Sequence, residues 1–592
     1  MGSATGWLDW RAAGSRITIV TDVTVVVAGE AGLGVQSAGT VLTRQLVRQG
    51  YHVFAYPNVM SRIRGGHNFT SIRVSERPKA GIRTQANVVL ALDEQAAQER
   101  KADLIEGGVL VYDSPAEPMI EAGRSILPVP MTAIAKRLGG GPPHAGVVGL
   151  GVLCALNSQP LRALQAVLKE QFEARGAEAG RLNAACAQAG FEYGRERFRG
   201  VCPCLIPELA SWESRLLLTG AQAIGLGALA AGVQFYAGYP MSPSTAILEY
   251  LAGKAEEFGI VVEQVEDEVS VINMVAGAAF AGARAMTATS GGGFALMVEG
   301  IGLAGMAELP LVVVVGMRPG PATGFPTRTE QAELLYAADC SQDEFPRVVL
   351  APGTAEQAFY ATVRAFGLAQ RFQSPVIVLT DQFLLDSSWT VGNLQLPIAN
   401  LQLAGRQSGA AYSFRRFEIT ESGVSPFLRP GTREQLVMSM GGEHDESGLG
   451  SEDAGNRVRM MEKRMRKLEG LRQEAAGLHE FPGRGGATVV VCFGSVFGPL
   501  REAVEILAGE GADIGMVHIS DIVPFPAKEL AQRLAGAKTV VCVEQNSTGQ
   551  LARLVRRETG FGPDEIILRF DGRPFTGDGL AERLRPIAGG AG

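Results

Sequence analysis

The chain reads as an α/β protein built around parallel sheets, and three observations predict that class. Short apolar runs alternate with glycine- or proline-rich loops: GYPMSPST (238–245), TATSGGGF (287–294) and MRPGPATGFPTRTEQ (317–331) each follow one. The first two loops, and the acidic turn inside VEQVEDEVSVINMVAGAAFAGA (262–283), then open helix-like stretches. Repetition of strand, loop and helix is the signature of successive βα units. The third observation is composition: 46% hydrophobic and 19% charged residues describe an ordinary globular chain. Parallel sheets bind ligands at the carboxyl ends of their strands, so function is to be sought between Gly238 and Arg328.

With 592 residues the chain has room for about three or four domains of roughly 150 residues. Its net charge of −7 argues against nucleic acid or an anionic membrane as the main partner. No N-terminal stretch has the order of a signal peptide. The apolar run 223–237 is rich in Ala and Gly and broken by Gln234, so it is expected to be helix plus strand and not a membrane span. Seven scattered cysteines point to a reduced cytoplasm. Cys202 and Cys204 form a lone CxC, and Cys154, Cys186, Cys340, Cys492 and Cys542 stand apart. No iron–sulfur or zinc ligand set, and no other metal site, is expected on this chain.

The first unit is expected over 1–200, followed by a linker at 201–214. Residues 22–50 read as a strand, a glycine turn and a helix. Gly29, Gly32 and Gly34 have the spacing GxxGxG, and no acid ends a second strand where ribose recognition would need one. A tight turn that brings helix close to sheet is the expected role. Next, SRIRGGHNFTSIRVS (61–75) carries Arg62, Arg64 and His67 around the turn Gly65–Gly66, ahead of an alternating strand. That loop could clamp an anion or pin a subunit interface. Further strands are expected at 86–93 and 108–113, with a small-residue helix before 156 and a helical tail over 160–200.

The second unit is expected over 215–404, and Thr219 is placed to cap its first helix. In GYPMSPST, Pro243 suits the first position of the next helix, and the hydroxyls of Ser242, Ser244 and Thr245 lie where a helix N-terminus meets an anion. The plainer alternative is capping by Ser242. Glu266, Asp267 and Glu268 stand at the mouth of an apolar helix. The helix dipole accounts for two of them; a third, facing a glycine-lined cleft, is suited to exchanging a proton with a ligand. Arg318 and Arg328 follow the apolar strand LPLVVVV (309–315) and suit a carboxylate or phosphate. Residues 405–480 read as a long connection followed by a helix of alternating charge (457–476), expected to be solvated or at an interface. A last α/β unit is expected over 481–592, with strands TVVVCFG, ADIGMVHIS and AKTVVCVEQ.

Together GYPMSPST, EDEVSVINM, TATSGGGFALM and RPGPATGFPTRTEQ resemble the α subunit of bacterial two-subunit 2-oxoacid:ferredoxin oxidoreductases, most like the 2-oxoglutarate type. GEAGLGVQSAG and SRIRGGH resemble that family's γ domain, fused here to α, and VPFPAKEL and VEQNSTGQLARL extend the resemblance toward the C-terminus. The resemblance implies a γ domain, a thiamine-diphosphate-fold pyrimidine domain and a transketolase-C-like domain. It implies oxidative decarboxylation of a 2-oxoacid with CoA, electrons leaving to ferredoxin, or the reverse carboxylation. Pyruvate, branched-chain or aryl oxoacids are alternative substrates, and a non-catalytic nucleotide-binding or scaffold subunit is the alternative of another class. Thiamine diphosphate would be shared with a β subunit that carries the diphosphate, Mg²⁺ and a 4Fe–4S cluster in an α2β2 assembly. By the same resemblance Glu268 would meet the aminopyrimidine, with Gly291, Gly292 and Gly293 beside the cofactor. Arg318, Ser242, Thr245 and Arg328 would serve the substrate. Ser242 and Met241 stand where the family's motif YPITPST has Thr and Ile. ADCSQDEF (338–345) replaces an expected glycine- and histidine-containing loop, and Glu30 and Ala31 interrupt the glycine turn.

Overall fold

The computed structural model describes residues 22–589 apart from 62–64, 117–118, 122, 174–175, 199–205, 208, 210–214, 396–413, 433–435 and 483–485. Three sheets organise it. The first has nine strands, ordered Met119–Glu121, Arg124–Val129, Leu104–Asp113, Ala86–Ala91, Asp22–Glu30, His67–Ser75, His52–Asn58, Ser388–Val391 and Leu216–Thr219. Its centre, Asp22–Glu30, is a Val-rich run buried from Val23 to Gly29, as a strand covered on both faces must be. The glycine turn then brings the helix Val35–Arg48 close to the sheet, as expected. Gly34 has φ 86°, and a side chain at Gly39 would touch Thr70 at 3.0 Å.

The last two strands of this sheet lie inside the stretch expected as the second unit. Ser388–Val391 pairs antiparallel with both His52–Asn58 and Leu216–Thr219, so the two units share one sheet. Thr219 caps the following helix as its sequence predicts, in a reciprocal box with Gln222.

The second sheet runs Val261–Gln264, Phe235–Gly238, Ala285–Thr289, Leu311–Met317, Val376–Asp381, Val348–Leu350, Asp521–Val523. All its neighbours are parallel except the last pair. The chain steps outward from Phe235–Gly238 to Val261–Gln264, then returns past it to Ala285–Thr289. That reversal opens a crevice at the carboxyl edge.

The third sheet contains the three expected strands, Thr488–Phe493, Ile514–Ile519 and Thr539–Glu544. Leu478–Phe481 joins antiparallel at one edge and Glu565–Leu568 parallel at the other. Asp521–Val523 leaves this unit to close the edge of the second sheet. A buried guanidinium fastens the first and last units: Arg73 donates to both oxygens of Asp22 at 2.8 Å and both of Glu502 at 2.5 Å.

The charged helix, Ala454–Gln473, corrects its expectation as a solvated or interface helix. Lys463, Arg464 and Lys467 are buried, and the two lysines grip the carboxylate of Glu308 at 2.5 Å each. Arg416, stacked over Phe417 and Phe427, donates to the Glu308 carbonyl. Burial alone would raise the proton affinity of Glu308. The charges of Lys467, Lys463 and Arg416 overcome that and bring its pKa down to about 2. Ahead of this helix, residues 414–453 carry one isolated bridge, His444 to Gly450, and no named helix or strand among those described.

Candidate functional site

Four loops meet where the second sheet reverses. Gly238 leads into the first, which reaches helix only at Thr245–Ala252. Pro243 therefore lies before the helix, and Ser242 does not cap it. Ser244 occupies the cap position with helical dihedrals, and its hydroxyl donates instead to the Thr289 carbonyl at 2.5 Å. That bond ties the first loop to the end of the neighbouring strand. Ser242 is exposed, and its carbonyl accepts from Arg318 at 2.6 Å. Thr245 is half-buried at the first helical position.

The acidic turn divides its three residues by role. Asp267 caps the helix Glu268–Phe280, accepting from the Ser270 amide and hydroxyl at 2.8 Å each. Glu266 is exposed. Glu268, at the first helical position, turns inward, is 4% exposed, and its Oε1 has no hydrogen-bond partner. A buried carboxylate oxygen without a donor is costly unless a ligand completes it.

What it faces is the glycine run that opens the helix Gly291–Met306. A Cβ at Gly293 would stand 2.6 Å from Glu268 Oε1 and collide with the Thr289 hydroxyl, so only glycine leaves room. Gly292 faces open space. At Gly291 a Cβ would lie 2.5 Å from Glu333 Oε1. Burial pushes the Glu333 carboxyl up to about 7, the neighbouring charge of Glu330 adds to that, and Arg318 offsets only part. Its Oε2 is buried and unpartnered, as is the hydroxyl of Ser290. Nothing in the sequence singled out Glu333: an acid just before a short helix, Leu334–Ala338, reads as a surface residue.

Arg318 and Arg328 open onto different spaces. Arg328 is buried and donates to Asn58 Oδ1 at 2.8 Å and to the Val59 carbonyl at 3.1 Å. It lines a cavity of about 780 Å³ between the first and last units, together with Arg83, Arg100, Arg569, Arg573 and Arg583. Burial and the charge of Arg573 lower the proton affinity of Arg328, and burial and Arg569 do the same to Arg583. Glu99, Asp103, Asp571 and Glu582 line it too, with Arg100 paired to Asp103 and Arg569 to Asp571, so six arginines stand against four carboxylates. His67 lines the same cavity and accepts from Arg100 at 2.7 Å. Arg62 and Arg64, expected beside it, lie outside the described residues. Sequence reasoning missed this cluster because its arginines span almost the whole chain.

The expected absence of cluster ligands concerns seven cysteines. Five are described, each free and buried, and Cys202 and Cys204 lie outside the described residues. Among the described residues no His, Cys, Asp and Glu group is arranged to hold a metal, and no helix is long and apolar enough to cross a membrane. The replaced loop 338–345 packs by Cys340, whose carbonyl accepts from Arg347, and by Phe345 under the same guanidinium at 4.1 Å.

Comparison with known proteins agrees with this layout. Residues 226–463 match the family model described as pyruvate flavodoxin/ferredoxin oxidoreductase, thiamine diphosphate-binding. Residues 24–193 match pyruvate ferredoxin/flavodoxin oxidoreductase, and 487–578 match pyruvate:ferredoxin oxidoreductase core domain II. The alpha subunit of 2-oxoacid:ferredoxin oxidoreductase 2 of Aeropyrum pernix is 31% identical over 96% of this chain and 98% of its own. The 2-oxoglutarate oxidoreductase subunit KorA of Mycobacterium tuberculosis is 28% identical over 96% and 92%. Among solved structures, a 2-oxoglutarate:ferredoxin oxidoreductase from Magnetococcus marinus, with 2-oxoglutarate, coenzyme A and succinyl-CoA bound, superposes with a TM-score of 0.87. It is 30% identical and covers 96% of this chain and 99% of that one. Three successive family matches and end-to-end similarity lead to one conclusion: this chain belongs to the 2-oxoacid:ferredoxin oxidoreductases, as an alpha subunit with a gamma-like domain at its N-terminus.

Proposed function

We propose that this subunit serves the CoA-dependent oxidative decarboxylation of 2-oxoglutarate to succinyl-CoA and CO₂, with electrons passing to ferredoxin, or the reverse carboxylation. The observation that carries the reading is the orphaned Oε1 of Glu268, buried against Gly293 and in need of a donor. An aminopyrimidine nitrogen bearing a proton fits that need. Thiamine diphosphate, when bound, supplies the carbon nucleophile and the electron sink. The chain's own contribution is to hold and move a proton at the pyrimidine nitrogen through Glu268. The bare backbone of Gly291–Gly293 leaves room for a flat ring. Arg318, braced by the Ser242 carbonyl, meets the substrate carboxylate at the mouth of the crevice.

The remaining parts are assigned to partners. A β subunit would carry the diphosphate, Mg²⁺ and the 4Fe–4S cluster, and exposed Val269, Met274 and Leu296 on the two helices flanking the crevice give it an apolar surface to cover. Two αβ pairs would make the α2β2 assembly. The phosphates of CoA suit the arginine-lined cavity, whose volume is in the range of cofactor sites. Choice of 2-oxoglutarate over pyruvate rests on the relatives that carry its name and on the succinyl-CoA in the Magnetococcus marinus complex.

The test is to produce the chain with a thiamine-binding partner subunit and follow ferredoxin reduction with 2-oxoglutarate, pyruvate and CoA. Glu268→Gln keeps the shape but cannot cycle the proton, so turnover should fall by about 10²–10⁴ with assembly intact. Near-normal turnover in that variant removes Glu268 from the chemistry. Preference for pyruvate would keep the chemistry and correct the substrate.

A further inference from the structure

Thr289 stands where three parts of the crevice meet, and the proposed chemistry leaves its hydroxyl unused. It ends the strand Ala285–Thr289 and is fully buried. Its carbonyl accepts from Ser244, which ties the strand to the loop that holds Ser242 and, through the Ser242 carbonyl, Arg318. Its hydroxyl lies beside Gly293 instead. A Cβ there would stand 2.1 Å from that hydroxyl oxygen and 2.6 Å from Glu268 Oε1. The two oxygens thus share the space that a side chain at Gly293 would fill, and their spacing is at most the sum of those two arms.

Neither oxygen is well served elsewhere among the described residues. Glu268 Oε1 is buried without a donor, and the Thr289 hydroxyl reaches the Ser290 carbonyl at 3.5 Å and Met241 Sδ at 4.0 Å. Both of those contacts lie at the outer limit of hydrogen bonding. A hydroxyl donating to a carboxylate makes a shorter and stronger bond. The terminal torsion of a glutamate is broad, so the carboxylate can turn to the hydroxyl with its stem in place. Each carboxylate oxygen has room for two donors, so Oε1 can take Thr289 and still meet a ligand. Resting on the reading above, in which Glu268 serves the pyrimidine nitrogen, we propose that Thr289 is a positioning residue: its hydroxyl donates to the Glu268 carboxylate and fixes the direction in which Oε1 meets the cofactor. The hydroxyl and the carbonyl of Thr289 serve different neighbours. Removing the hydroxyl therefore leaves the Ser244 tie, and with it the loop that braces Arg318, in place.

The test uses the assembled enzyme with thiamine diphosphate as the probe. Thr289→Val replaces the hydroxyl by a methyl group of similar size. Its dissociation constant for thiamine diphosphate, read by calorimetry, should rise about three- to tenfold, the reach of one hydrogen bond, and kcat should fall by a similar factor. KM for 2-oxoglutarate should stay unchanged, because Arg318 is not disturbed. Thr289→Ser restores the hydroxyl and should return both affinity and kcat toward the wild type. A double-mutant cycle on cofactor affinity isolates the link: once Glu268→Ala has removed the acceptor, Thr289→Val should have no further effect. Equal losses in the two backgrounds, or a serine variant as impaired as the valine one, overturn the proposal. Thr289→Ala takes the place of the valine variant in the same cycle if that one fails to assemble. Glu268→Gln separates the premise from the inference. Near-normal turnover there sinks the premise and the proposal with it. A large loss there, beside wild-type affinity and kcat in Thr289→Val, sinks the proposal alone.

Discussion

Gly293 is the residue on which the geometry around Glu268 depends most tightly. Mid-helix glycine ordinarily costs about 1 kcal/mol relative to alanine, so Gly→Ala at an open position stabilises. Gly292 is open but lies in the first turn of its helix, so Gly292→Ala should raise stability by less than about 1 kcal/mol. At Gly293 the same methyl meets the Glu268 carboxyl and the Thr289 hydroxyl, both held by packing. Overpacking of this kind costs about 1–3 kcal/mol, which exceeds the helix gain. Gly293→Ala should therefore lower the melting temperature and, by displacing Glu268, reduce thiamine affinity of the assembled enzyme. Calorimetry on the pair of variants checks both signs, and equal behaviour at 292 and 293 would show that the contact yields freely. Legibility at this scale was uneven. The triple glycine and Glu268 were readable from their motifs, whereas Glu333 was not, because an acid's burial depends on what packs over it.

At the scale of elements, the helix Ala454–Gln473 shows how a charge pattern misleads. Lys463 and Lys467 are one helical turn apart and share a face. By sequence alone that face is solvated, because the acid that receives it, Glu308, is more than 150 residues away. Buried ion clusters stabilise little in total, yet breaking one is costly, about 3–5 kcal/mol, because the remaining charges stay buried and unbalanced. Glu308→Gln should lose an amount of that order at neutral pH, read by denaturant unfolding of the chain. The pH dependence has a definite sign. Glu308 is held at about 2 in the fold against an ordinary value of 4.5. Its contribution is complete above about 4.5 and fades as pH falls toward 2. The gap between wild type and variant should shrink over that window. A gap that widens on acidification would contradict the assignment.

Across the whole molecule, the first and last units are fastened by Arg73 and enclose the arginine-lined cavity. Six guanidiniums from segments far apart in the chain converge there against four carboxylates, and burial together with a neighbouring guanidinium lowers the proton affinity of two of them. Such a field is stabilised by a polyanion. Arg573→Glu should raise the KM for CoA by about ten- to a hundredfold, the worth of one charge-assisted hydrogen bond at about 1.5–3 kcal/mol. KM for 2-oxoglutarate should stay unchanged, because Arg318 opens elsewhere. Added salt should weaken CoA binding in the wild type more than in the variant. Steady-state kinetics at two ionic strengths measures this, and an equal rise in both KM values would place the two ligands in one site.

Local chemistry was written in the chain, because strands, turns and caps depend on neighbours within a few residues. The α/β class, the glycine turn over 29–34, the Thr219 cap and the motif loops from Gly238 to Arg328 were all determined that way. Tertiary structure alone decided the rest, since pairing across hundreds of residues leaves no local trace. It gave Ser388–Val391 and Leu216–Thr219 to the first sheet and closed the second with Asp521–Val523. It turned the lysine face of a helix inward onto Glu308 and sent Arg328 away from Arg318 toward the far cavity. Charge in a sequence is only a valence; burial and the company of other charges decide whether it is solvated, paired or left waiting for a ligand.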